Sequence, residues 1–133
     1  MKTTTLERNE LDAAVETLLR GYEEETSLYS VVRNLTRNQR VTLRDERDVP
    51  RFSDLHDEKE DILQLIEQIE DEMKSAKSVV MARHPDRCPR SLRLTRLLDN
   101  LTQLIEEIRI LESANAALLG GTEGKSVALA SQG

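Results

Sequence analysis

The cleanest hydrophobic period in the chain lies between Leu55 and Arg83. Steps of four and three pick out Leu55, Lys59, Ile62, Ile66, Ile69, Met73, Ala76 and Val80, the seam of a long amphipathic helix. The other positions are mostly Asp, Glu, Gln, Lys and Ser, so one narrow line faces a partner and the rest faces water. Such a helix is stabilised by packing rather than by intrinsic propensity. The flanking segments are therefore expected to be its partners.

Upstream, from Leu6 to about Arg47, there is no Pro and a second seam runs Leu11, Val15, Leu18, Tyr22, Glu25, Tyr29, Val32, Thr36, Gln39, Leu43. Glu25, Thr36 and Gln39 interrupt it and either fix register or mark where the partner ends. Gly21 costs about 1 kcal/mol relative to Ala inside a helix, which predicts a bend or a close helix contact. Val49-Pro50 is expected to end the first helix, with Ser53 or Asp54 capping the second. A connection this short favours an antiparallel hairpin. Arg33, Arg37, Arg40, Arg44 and Arg47 share one face of the first helix, and folding back is expected to lay them beside the acids that open the second.

A second Pro-rich junction, HPDRCPR, follows Arg83, and Ser91 is the expected cap of a third helix reaching Leu119. Leu94, Leu98, Leu101, Ile105 and Ile108 form one seam of it, and Leu97, Leu104, Leu111 and Leu118 another. Together they cover about 160° at 100° per residue, more than one partner helix uses. Either the third helix closes a three-helix bundle, or its surplus arc forms a trough for a segment of another protein, or it pairs with a second copy. Gly120-Gly121 is expected to end this helix. The remainder, 122–133, is small, polar and aperiodic, which predicts a flexible tail.

Composition narrows the picture. One Phe, two Tyr and no Trp leave the packing to aliphatic side chains. A net charge of −6, spread over many acids and bases, argues against nucleic acid as the main partner. The lone Cys88 has no internal disulfide partner, which suits a reducing compartment. There is no apolar run of signal-peptide type and none long enough to span a bilayer, so a cytoplasmic location without membrane insertion is expected.

Candidate chemistry is thin. His84 and Cys88 stand four apart, but Pro85 and Pro89 break that stretch and two ligands do not make a zinc site. No orienting group is evident for a Cys-His nucleophile pair. No phosphate-binding, dinucleotide-binding, metalloprotease or nucleophile-elbow motif is present. The carboxylates lie on solvated helix faces, whereas acid-base catalysis needs a desolvated cleft. A non-enzymatic protein without cofactor or metal is therefore expected. A helical-bundle enzyme using inward Arg and Glu would require an arginine buried between helices.

Taken in order, the segments resemble the FlgN family of flagellar export chaperones. The likeness runs from about Leu18 to Leu119, through LLRGYEEETSLYSVVRNLTRNQRVTL, then DLHDEKEDILQLIEQIE with Leu55, Lys59, Ile62 and Leu63, then Asn115, Leu118 and Leu119, similar to the Asn-x2-Leu-Leu that ends the family's last helix. No one of these motifs is specific; their order and spacing carry the likeness. The resemblance implies a cytoplasmic bacterial chaperone that binds C-terminal helical segments of hook-filament junction (hook-associated) proteins. It would prevent their premature assembly and deliver them to the type III export machinery. It also implies Leu104, Ile108, Leu111, Asn115, Leu118 and Leu119 as partner-groove positions. The Arg-rich junction and the short Gly-Gly tail depart from the family, and Glu112 interrupts one seam beside the groove. With the resemblance set aside, a structural coiled-coil adaptor that homo-oligomerises has nearly equal support.

The expected fold is all-α: a long antiparallel hairpin plus a third helix, elongated, as a single domain over 1–119 with helices at about 6–47, 54–83 and 91–119.

Overall fold

The computed structural model describes residues 5–46, 48–83 and 89–122. Three helices account for nearly all of them: α1 (Thr5–Val41), α2 (Val49–Arg83) and α3 (Pro89–Thr122), with a π-helical turn, Thr42–Glu46, closing α1. At 1.5 Å per residue each is roughly 50–55 Å long. The fold is all-α, as the periodicity indicates.

α1 is the shared partner. Its backbone approaches both others, whereas no Cα of α2 comes within 8 Å of a Cα of α3 among the described residues. Gln39 meets Lys59 and Gly21 faces Met73, so α2 runs antiparallel to α1. Glu23 meets Arg93 and Thr36 meets Asn115, so α3 runs parallel to it.

The seams fill the space between. Val15, Leu18, Tyr22, Val32 and Leu43 of α1 are buried, as are Leu55, Ile66, Ile69, Met73 and Ala76 of α2. On α3 the buried line is neither of the two expected. It alternates between them, Leu94, Leu97, Leu101, Leu104, Ile108, Leu111, Asn115, Leu118, with every member buried or half-buried. That is a strict three-four repeat, the geometry of a coiled-coil seam. Leu98 and Ile105, expected in the seam, are 36% and 40% exposed, because the strict repeat leaves them one position to its side.

Gly21 proves to be a close-contact site. A Cβ there would stand 2.8 Å from Met73 Cγ and closer still to its sulfur, so glycine lets the Met73 side chain press against the α1 backbone.

Three boundaries differ from expectation. Pro50 does not end α1. It lies in the first turn of α2, where its missing N–H is no loss, and the cap is Asp48, whose Oδ1 accepts from Arg51 N at 3.0 Å. α3 likewise opens on Pro89 and carries Gly120 into its last turn; glycine's cost there does not by itself stop a helix. The junction 84–88, with His84 and Cys88, and most of the expected tail lie outside the described residues.

The α1 arginines also behave differently. Arg33 and Arg37 pair with Glu107 of α3, at 3.5 and 2.5 Å, not with acids of α2. The reason is lateral: α3 lies along this flank of α1, while Asp57, Glu58, Glu60, Asp61, Glu67, Asp71 and Glu72 of α2 face solvent. These partly exposed pairs are worth about 0–1 kcal/mol each.

Candidate protein-binding surface and buried polar groups

The polar interruptions of the seams meet one another inside the bundle. Lys59, 3% exposed, donates to Gln39 Oε1 at 2.7 Å and reaches the Glu112 carboxylate of α3. Gln39 spends its own Nε2–H on the Phe52 carbonyl at 3.1 Å. One turn further along, Asn115 Nδ2 donates to the Thr36 carbonyl at 3.1 Å, and the Thr36 hydroxyl donates back to the Val32 carbonyl at 2.7 Å. Lys59 thus joins all three helices, by an ion pair to α3 and a hydrogen bond to α1. Unpaired, its ammonium would carry a large desolvation cost; here the partners satisfy it and fix the register.

A second group lies nearer the middle of α1. Glu25 is 1% exposed. Burial, and then a hydrogen bond shared with Glu70 of α2, push its carboxyl up to about 8. Burial also acts upward on Glu70, but the hydrogen bond from Glu25 and the ammonium of Lys77 outweigh it and hold Glu70 below its ordinary value. The hydrogen bond to Glu70 raises Lys77 against the opposing effect of burial. Lys77 also sits 5.6 Å from the centre of the Tyr22 ring, within cation–π range. Burial raises both Tyr22 and Tyr29.

The six residues that the family likeness marks as a groove divide in two. Leu104, Ile108 and Asn115 are buried, the first two against Val32 of α1 and the third on Thr36. α1, with Ile62 and Leu63 of α2 packed on the same cluster, already occupies them. Leu111, Leu118 and Leu119 are half-buried beside them. The apolar surface open to a partner is a different one. Leu98 and Ile105 precede Glu112 by two heptads and one, which places them on the flank of α3 that Glu112 uses to reach α2. They overlook the side where the backbones of α2 and α3 stand apart. Ile110, 61% exposed, belongs to a separate open depression of about 500 Å³ with nearly apolar walls, lined by Thr102, Gln103, Glu106, Glu107, Ile110 and Leu111.

No family model, curated protein or solved structure matches this chain. The likeness to the FlgN family therefore rests on the residues quoted for it. Among the described residues no group of three or more His, Cys, Asp or Glu side chains could hold a metal ion. None of the described helices is long and apolar enough to cross a membrane. Among the arginines whose side-chain burial is described, none is fully buried; Arg33 and Arg40 are half-buried, each with a covered Nε that lacks a hydrogen-bond partner.

Proposed function

We propose that this chain binds helical segments of other proteins without catalysing a reaction, as a cytoplasmic export chaperone of the FlgN type. The observation that carries this reading is the uncovered line Leu98–Ile105 on α3, beside an α2 whose backbone keeps its distance. An amphipathic helix laid along that side would cover both residues while α1 continues to hold α2 and α3. Leu119, half-buried and one heptad beyond Glu112, extends the surface toward the C-terminal end of the helix, next to the half-buried seam residues Leu111 and Leu118. The cargo on this reading is the C-terminal helical region of a hook-filament junction subunit, which exposes an apolar stripe until it assembles.

The test is calorimetric titration of the purified chain with such a helical segment. Saturable one-to-one binding supports the reading, and absence of binding at high micromolar concentration opposes it. Ile110 and its depression favour a second reading, an adaptor that pairs with its own copy. Light scattering separates the two: the chaperone is a monomer when free, the adaptor a dimer.

A further inference from the structure

Glu25 occupies a seam position where every neighbouring turn supplies an apolar or aromatic side chain, and water does not reach it. Its Oε2 has no hydrogen-bond partner and its contact across the helix interface is another carboxyl, Glu70. Two carboxylates cannot share a hydrogen bond, since both only accept; one must carry the proton. Lys77 already neutralises Glu70 through a direct ion pair, so the proton belongs on Glu25. The groups that face Glu25 are Tyr22 and Tyr29 from α1 and Glu70 and Lys77 from α2. α3 contributes Leu97 and Leu101 to the adjoining core, and its Arg93 is paired with Glu23.

We propose that the folded bundle holds one proton between Glu25 and Glu70 at neutral pH, and that separating α1 from α2 releases it. The step balances simply: the Glu25 O–H that donates to Glu70 gives its proton to water, both carboxyls become hydrated anions, and Lys77 keeps its charge. The α1–α2 joint is therefore looser in alkaline than in mildly acidic solution. This device stands apart from the proposed function and holds whether or not the chain binds helices.

The sign follows from linkage. A carboxyl whose folded pKa lies above its unfolded one stabilises the fold fully below 4.5, progressively less up to about 8, and no further change follows beyond that. Glu70 acts in the opposite sense and only on the acid side of 4.5, and Lys77 only above 10.5.

Urea unfolding of the full chain and of Glu25→Gln across this range tests the proposal. Gln keeps the shape and donates to Glu70 without a titrating proton. The unfolding constant of the unsubstituted chain should rise, relative to that of E25Q, by up to about tenfold per pH unit. Parallel profiles would overturn the proposal. Should E25Q fail to fold, carbon-13 titration of the glutamate carboxyls in the unsubstituted chain decides: one resonance with its midpoint near 8 is expected, and titration of all of them in the ordinary range would overturn it.

Discussion

Lys59 of α2 reaches Glu112 of α3 across the end of the bundle, with Gln39 of α1 as its second partner. One buried cation thereby ties together two helices whose backbones do not approach each other closely. Removing Glu112 leaves the ammonium buried with a single neutral partner. Glu112→Ala is expected to cost about 1–3 kcal/mol, below the range for a fully buried pair because the Glu112 side chain is half in water. Lys59→Met combined with Gln39→Leu removes the buried charge together with its buried neutral acceptor and is expected to be near neutral or stabilising. Urea midpoints of the two variants check the contrast.

Gly21 and Met73 set the distance between α1 and α2. Gly21→Ala gains about 1 kcal/mol of helix propensity but must displace a side chain that is 1% exposed, an overpacking cost of about 1–3 kcal/mol. A net loss of about 1 kcal/mol is expected. In a background carrying Met73→Val the same change should become stabilising. A thermal-denaturation double-mutant cycle reads the coupling.

Neighbouring residues of α3 should respond oppositely. Leu104→Ala removes a core side chain and is expected to cost about 2–4 kcal/mol. Ile105→Ala, on the exposed flank, should fall within about 0.5–1 kcal/mol of the parent. Equal losses would mean that Ile105 is covered in solution, as in a dimer.

Much of this was legible in the chain. The seams of α1 and α2 read from the periods, including the polar positions Glu25, Thr36, Gln39 and Lys59, are the lines the structure buries. What those residues bond to was not legible, because Lys59 and Glu112 are brought together only by the parallel placement of α3. The wide arc of α3 concealed its register: Leu98 and Ile105 are as apolar as the core, and only Asn115, a polar residue in phase with Leu94, Leu101 and Ile108, signals the true line. Pro50 and Pro89 read as breaks because a missing N–H bars the helix interior, yet at a helix start it is harmless. The groove residues were marked by likeness, and three of them are core in the bundle.

The chaperone reading is tested most directly by capture from a lysate of the organism's own cells, with the full chain and with Leu98→Glu combined with Ile105→Glu as baits. Both baits should be helical by circular dichroism, since both positions are exposed. The account predicts that mass spectrometry finds hook-filament junction subunits on the parent chain and loses them on the double variant. Recovery of the chain's own copies alone, or equal recovery of those subunits on both baits, would contradict it.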